Sequence, residues 1–585
     1  MSLDAPINLD HILFTAAGSY LAIEREATGR GSQRAVYKTR SGRAVTRRDA
    51  AEWSHDFFEI VLLSNNTEVP YRVTGYPTHL VLEAASGASA SFAFADVDTL
   101  SFIATNVTVC LVARKDLHLH YADRPGHLRV ADPRAHGVHQ FRAAAETRIK
   151  WRTSRSRAVF NGYQGAFYVE FSGTGKIAGA FRFDEKGSSW TEPLVNFKSA
   201  FQGRKQEYSR WMARIPQVPK PYSRAAIEAW TLLHLNRVSP RGHITRETIY
   251  SNKGGMTGIW TWDNCFHALA VAEADPVLAF QQVRLPFDHQ TTEGQVPDKF
   301  DDGAVHYGYT KPPISGWTVS KLMTVLGLEA TRDAVSDLYE PIRLQTEWWF
   351  RFRDADKDGL CAYLHGNDSG WDNSTVFDQG QPTQGADLAA HLVLQMEALS
   401  RMAKVLGRRS AARQWQERSD AHLEKLLEKN LHRSRFFSPL EGKKRAAPSK
   451  SLLNYIPILL GGRLPKTIIG RMAKDLSPGG PFLTDHGLSS EALSSSKYEA
   501  DGYWRGPIWS PPQYLIVEGL RHARLHSLAR TISTLHCELC SKAPGMWENY
   551  DASTGKGQRT PSISWTASIF LLLANSLYNE TLSML

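Results

Sequence analysis

Cysteine is scarce in this chain, with five in 585 residues, at positions 110, 265, 361, 537 and 540. An odd number so widely scattered argues against a disulfide framework and for a reducing compartment. Cys537 and Cys540 have CxxC spacing, but they sit in a helical pattern with no second pair to complete a zinc site. Long hydrophobic runs are missing as well. No segment reaches the roughly 18 apolar residues of a membrane span, and Met1–Glu24 has neither a basic start nor a long apolar run. The expected location is the cytoplasm, with no membrane partner, and sequons such as Asn106-Val107-Thr108 carry little weight there. Acidic residues are outnumbered, 59 against 69 Lys and Arg, for a net charge of +10. That excess permits nucleic-acid binding. It is densest from Arg124 to Arg157, through Arg129, Arg134, Arg142, Arg148, Lys150, Arg152 and Arg155, where it alternates with apolar residues like the solvated face of strands. No nucleic-acid motif accompanies it, so no such partner is expected. A nucleic-acid binder would betray itself by affinity that falls steeply with salt.

Aromatic residues, by contrast, are plentiful: sixteen tryptophans and twenty tyrosines. Aromatic faces suit sugar rings, and large cores use them too. The length exceeds one ordinary core, so two large domains are expected. Residues 1–200 read as an antiparallel β-sandwich, from short β-branched and aromatic runs such as 57–63, 79–83, 107–112 and 166–171 punctuated by Gly, Asn and Asp. Residues 201–222, basic and carrying Pro216, Pro219 and Pro221, read as a linker. From Ser223 to Leu585 the period turns helical, with about a dozen amphipathic stretches that include 223–236, 262–272, 315–326, 331–353, 384–406, 409–430, 506–521, 525–541 and 564–577. Between them run long loops rich in glycine and aromatics, and long ordered loops usually carry function. Lone histidines such as His234, His267 and His289 read as satisfied packing residues. His118 and His120 fall on an expected strand with no carboxylates nearby.

Five of the loops concentrate tryptophan, acidic or amide residues, or both: Gly258–Asn264, Glu293–Asp298, His365–Ser374, Tyr503–Trp509 and Trp547–Tyr550. In the third, Asp372 follows Gly370 and Trp371 on a turn. Burial against a ring raises a carboxyl's pKa, which suits a general acid near neutral pH. Asp372 would serve equally as a helix N-cap, with Trp371 in the core. In the fifth, Glu548 again stands beside a tryptophan. Two carboxyls in aromatic settings are the minimum equipment for hydrolysing a glycosidic bond.

The helical half resembles glycoside hydrolase family 63, which includes processing α-glucosidases and mannosylglycerate or glucosylglycerate hydrolases, and is more distantly similar to the trehalases of family 37. The matching pieces are WTWDN (260–264), DKDGL (356–360) leading into SGWDNS (369–374), YWRGPIW (503–509), and ENYDASTG (548–555) followed by SWTAS (564–568), all in the family's order. The resemblance implies an (α/α)6 toroid and an inverting mechanism. Asp372 would be the general acid and Glu548 the general base. Trp260, Trp262 and Asp263 would form the sugar-gripping turn, with Gln295 and Trp371 in adjacent loops. Tyr503, Trp504, Arg505, Trp509 and Trp565 would line the subsite wall, with Arg505 available to Glu548 or a substrate hydroxyl. At least one of these tryptophans is expected to be buried core.

Two departures bear on the sugar. Lys311-Pro312-Pro313 stands where relatives often have Gln-Pro-Pro, which places Lys311 as a cleft residue on the aglycone side. Ser562-Ile563 replaces a glutamine or phenylalanine before Ser564-Trp565. The resulting reading is an exo-acting α-glycosidase, an α-glucosidase first, with carbohydrate as its partner. Alternatives are an α-mannosyl- or α-glucosylglycerate hydrolase whose substrate carboxylate meets Lys311 or Arg505, another toroid glycosidase such as an α-L-rhamnosidase or debranching glucosidase, and a carbohydrate-binding protein without turnover. Asp354, Asp356, Asp358 and Gly359 begin like a calcium loop, but position twelve is His365 rather than the required bidentate Glu. A helix C-terminus turning on Gly359 is the preferred reading, and no metal or cofactor is assigned.

Overall fold

The computed structural model describes residues 5–27, 33–40, 56–114, 119–132, 137–154 and 166–582. Arg134, Arg155 and Arg157 of the basic stretch, and His118, lie outside them. From Phe14 to Asp184 the described chain forms two antiparallel sheets. One runs in the order Phe14–Thr15, Leu21–Ala27, Gln33–Thr39, Asp56–Ser64, Thr108–Ala113, Ala166–Ser172 and Arg148–Ser154, with Thr67–Glu68 paired to Asp56–Ser64. The other runs Leu119–Arg124, His127–Asp132, Gly137–Ala143, Lys176–Asp184, Thr99–Thr105, Ser89–Phe94, Leu80–Ala84 and Tyr71–Gly75. Alternation sets which face turns inward: in Leu80–Ala84, Leu80, Leu82 and Ala84 are buried while Glu83 is exposed. The inward rings meet across the sheets, Tyr37 on Phe181 at 5.0 Å, Phe58 on Phe141 at 5.5 Å and Phe102 on Phe171 at 4.9 Å.

The stretch read as a linker is mostly helical. Helix α1 (Phe197–Met212), capped by Asn196 accepting from Ser199 N at 2.9 Å, lies against the strands Ser89–Phe94 and Thr99–Thr105. Its far end is locked to helix α2 (Ser223–Leu235) by Trp211 stacked on Trp230 at 4.3 Å. Each indole N–H donates to the other residue's carbonyl. Pro219 and Pro221 shape a 3-10 turn, Lys220–Tyr222, that leads the connecting coil into α2.

Ten further helices follow: α3 (Asp263–Val271), α4 (Pro276–Arg284), α5 (Ser315–Leu326), α6 (Arg332–Phe352), α7 (Ala386–Val405), α8 (Arg409–Lys429), α9 (Lys466–Leu476), α10 (Ser510–His522), α11 (His526–Lys542) and α12 (Ser564–Leu582). A 3-10 segment, Leu452–Arg463, stands between α8 and α9. Contacts close a ring: α3 packs on α5, α5 on α7, α7 on Leu452–Arg463, that segment on α10, α10 on α12, and α12 on α3. Outside it, α2 lies on α12, α4 on α3, α8 on α7, α9 on the 3-10 segment, and α11 on α10 and α12. The sequences show why. Helix α8 buries Ala412, Trp415, Ser419, His422 and Leu426, a single stripe at three- and four-residue spacing, whereas α10 is buried from Ser510 to Leu520. Among the described residues no helix is long and apolar enough to cross a membrane.

Candidate active site

The Asp372 loop is shaped by two glycines and an anchored acid. A Cβ on Gly366 would lie 2.0 Å from the Asp372 carbonyl oxygen, and Gly370, at φ +73°, lies against the Trp262 indole. Asp368 is buried and accepts from Thr310 N at 3.0 Å, Leu364 N at 2.9 Å and Arg353 Nη1 at 2.9 Å. That leaves Asp372 partly exposed, and Tyr503 Oη donates to its Oδ2 at 3.3 Å. Asp372 is not a helix cap. Ser374 caps the following 3-10 turn, Thr375–Gln379, by accepting from Val376 N. Asn373 zips this loop to the next: its Nδ2 donates to Gly502 O at 3.0 Å and its Oδ1 accepts from Trp504 N at 2.9 Å.

Glu548 lies in a tighter frame. Its N–H donates to Thr560 O at 2.8 Å, and its Oε2 accepts from Thr560 N at 3.4 Å. Asn549–Tyr550 pairs with Gly557–Gln558, and Ile508 and Tyr550 exchange backbone bonds, tying this loop to 503–509. Arg559 stands over the Tyr503 ring at 5.1 Å and donates to Asp501 Oδ1 at 2.9 Å.

Below these loops the tryptophans form one continuous layer. Trp371 meets Trp504 at 4.6 Å, Trp504 stacks on Trp509 at 3.9 Å, Trp509 meets Trp565 at 5.6 Å, and Trp565 meets Trp262 at 5.9 Å. All five are buried, Trp504 and Trp509 to 1% exposure. The expectation that Trp504 and Trp509 present faces to a sugar therefore gives way to a supporting role, since each covers the other. Tyr503 and Trp260 remain partly exposed, Trp260 with Lys299 over its ring at 5.2 Å. Gln295 is half-buried and donates to Tyr307 O.

Lys311 is buried, pairing with Asp298 Oδ1 at 2.6 Å and donating to Asn367 O at 2.6 Å. Arg505 is engaged elsewhere than at Glu548: its Nε donates to Asn373 O at 2.8 Å and its Nη2 to Asp378 at 2.5 Å, so it clamps the Asp372 loop. Asp263 is buried and accepts from Ser251 Oγ at 3.0 Å. Sequence reasoning passed over Asp298, Arg559 and Thr560. Asp298 lay in a loop already singled out, and its meaning depends on the lysine it neutralises.

Burial pushes the carboxyl of Asp372 up, against the opposing pull of Lys311 and the Tyr503 hydrogen bond. Burial likewise raises Glu548, with the Thr560 bonds and Arg559 lowering it and the charge of Asp372 raising it. Tyr503 is raised by burial and then by both Asp372 and Glu548, so its hydroxyl feels both carboxyls. Burial lifts Asp263 to about 8, a protonated third carboxyl at neutral pH. The arrangement sets a partly exposed carboxyl that burial shifts toward its protonated form beside a buried one whose amide and guanidinium neighbours favour ionisation. Such a pair can donate a proton on one side and accept one on the other.

Away from the site, Asp354, Asp356 and Asp358 approach one another, but their oxygens are engaged within the loop and by Lys429 Nζ, 2.8 Å from Asp358. Helix α6 ends at Phe352, so Gly359, at φ +87°, turns this loop rather than ending a helix. None of the five cysteines forms a disulfide, and all are buried. Cys540 is pushed up to about 12 by burial, which leaves it an inert thiol. His267 is a packing residue but not a satisfied one: both ring nitrogens are buried without a hydrogen bond, and burial lowers it to about 3.

The sequence pattern of the mannosylglycerate hydrolase MGH1-like glycoside hydrolase domain matches residues 256–566. Mannosylglycerate hydrolase MGH1 of Selaginella moellendorffii is 22% identical over 396 residues, 53% of this chain and 79% of that protein. Alpha-glucosidase 2 of Arabidopsis thaliana is 28% identical over 184 residues, 27% of this chain and 22% of that protein. The crystal structure of a GH63 mannosylglycerate hydrolase from Thermus thermophilus, in complex with Tris and D-glycerate, aligns with a TM-score of 0.51 at 20% identity. It covers 59% of this chain and 98% of that one, and the likeness is one of fold.

Proposed function

The chain belongs to the mannosylglycerate hydrolase MGH1-like glycoside hydrolase family, within glycoside hydrolase family 63, and from that premise we propose that it is an inverting, exo-acting α-glycosidase. The observation that carries the reading is the pair Asp372 and Glu548, each in a loop matching the family pattern and each raised by burial, with Tyr503 bonded to Asp372 and within the electrostatic reach of both. Protonated Asp372 gives its proton to the leaving oxygen as the glycosidic C–O bond breaks. Ionised Glu548 takes a proton from water, and the water oxygen bonds to the anomeric carbon from the opposite face. The partly exposed rings of Tyr503 and Trp260 supply apolar surface for the sugar. The closed ring of helices is read as an (α/α)6 toroid, with residues 223–585 as the catalytic domain and 1–200 as a separate β domain.

Two substrate classes fit. The leading one is a neutral α-glucoside, because Lys311 and Arg505, the cations available to an acidic aglycone, are committed to Asp298 and Asp378. The second is an α-mannoside or α-glucoside of glycerate, favoured by the relative of that name matching 53% of the chain against 27% for the glucosidase. Initial rates on aryl α-glucosides, α-linked glucose disaccharides, and mannosyl- and glucosylglycerate decide between them. A best substrate bearing a carboxylate overturns the first reading, and no hydrolysis of any α-glycoside overturns both.

A further inference from the structure

The solved Thermus relative is matched over 98% of its length by only 59% of this chain, and the family pattern begins at residue 256. The N-terminal β region is therefore additional to the matched helical body, and its first residues touch the loop that carries Glu548. Ile7 bonds to Gly75 of the second sheet at 2.9 Å, and a turn at Asn8 follows, with His11 N and Ile12 N donating back to Asn8 O at 3.1 and 2.9 Å. The turn presents His11 edge-on to Trp547, at 5.2 Å and 69°. Gly545, at φ +123°, makes room: a Cβ there would lie 2.9 Å from His11 Nδ1 and 2.8 Å from Trp547 Nε1. Trp547 in turn covers Gly557 on the opposite strand of the hairpin whose first residue follows Glu548.

The other end of the segment is fixed from beneath. Lys253, 2% exposed, donates from Nζ to Ala16 O at 3.1 Å and lies 3.4 Å from Thr15 Oγ1. Its neighbour Asn252 donates to Pro561 O and Ser562 O at 2.8 and 2.9 Å, and Asn236, which accepts from Lys253 N, donates to Ser564 Oγ at 2.8 Å. These contacts hold the chain directly after Thr560, whose N–H and carbonyl both bond to Glu548.

We propose that residues 8–16 form a strap by which the β region positions Glu548, with His11 as the positioning residue that presses on the Glu548 loop through Trp547. The proposal rests on Glu548 being the general base. A misplacement of about 1 Å in a reacting group can cost up to about a hundredfold in rate. Steady-state kinetics of His11→Ala should accordingly show kcat lower by about tenfold or more, equally for good and poor leaving groups, with KM little changed. His11→Phe, which keeps a ring against Trp547, should recover most of the rate. Thermal unfolding and active-site titration on the same preparations separate this from lost folding. The proposal is overturned if His11→Ala keeps the parent kcat, if its loss grows with poorer leaving groups, if His11→Phe gives no recovery, or if the loss equals the unfolded fraction. A fully active Glu548→Gln enzyme would instead remove the reading of Glu548 on which the strap depends, whatever His11 does.

Discussion

The two carboxyl loops are built by opposite means. Around Asp372 the backbone is fixed by a buried acid, Asp368, with three donors, and the Asp372 side chain is left partly open beneath a single tyrosine hydroxyl. Around Glu548 the side chain itself is buried, and its partner is a backbone amide that cannot move away. Both settings raise the carboxyl by burial, yet the neighbours differ in what they favour. Thr560 N–H and Arg559 support the ionised form of Glu548 directly. Asp372 has Lys311 as its largest opposing influence, and that lysine is already paired to Asp298. Two residues of the same chemical class thereby stand in different surroundings, as the proposed acid/base pair requires.

The largest effect should come from the more buried member. Glu548→Gln removes water activation, so rates should fall by about 10²–10⁴ on every substrate. Asp372→Asn should cost as much for poor leaving groups and far less for glycosyl fluorides, whose departure needs no proton. A uniform loss in both variants, compared across a series of aryl glycosides, would erase the distinction between the loops.

Stability offers the next test. Lys311→Met leaves Asp298 buried without its cation, and breaking a buried pair typically costs about 3–5 kcal/mol. Chemical denaturation should show that loss, while Lys299→Met, at a partly exposed position, should cost little. Equal losses would mean that Lys311 does not anchor the loops of Asp298 and Asn367 that it joins.

The smallest effects are in the pH profile. Activity needs Glu548 ionised and Asp372 protonated, so kcat/KM should be bell-shaped, with limbs that belong to the coupled pair. Arg559 lowers Glu548, so Arg559→Ala should raise it and move the acid limb to higher pH. The Tyr503 hydroxyl lowers Asp372, so Tyr503→Phe should raise that group and move the alkaline limb to higher pH. Each variant should shift its own limb more than the other, and a profile in which the two are exchanged would reverse the assignment of roles.

Much of this was legible in the sequence where a local pattern decides the structure. Helix α5 is expected at 315–326 and is found at Ser315–Leu326, because its apolar period, the prolines before it and Gly327 after it are local signals. Leu452–Arg463 went unread: Pro457 and Gly461 break the helical pattern, yet the segment is buried on nearly all sides and closes the ring. Helix α1 was hidden by its basic composition, since Ala200, Tyr208 and Trp211 alone are buried. The carboxyls of the site were visible because each adjoins a tryptophan in a loop. Arg559 was not, as one exposed arginine in an arginine-rich chain gains its meaning only from the Tyr503 ring beneath it. The tryptophans were legible as a group but not in function, because stacking on one another depends on tertiary contacts between loops over a hundred residues apart.

The configuration of the first sugar released tests the central claim most directly. Proton NMR during the first turnovers on the best α-glycoside should show the β-anomer appearing before mutarotation equilibrates it, as single displacement by a Glu548-activated water requires. Release of the α-anomer first would contradict the account, since it demands a covalent intermediate and a different role for one of the two carboxyls.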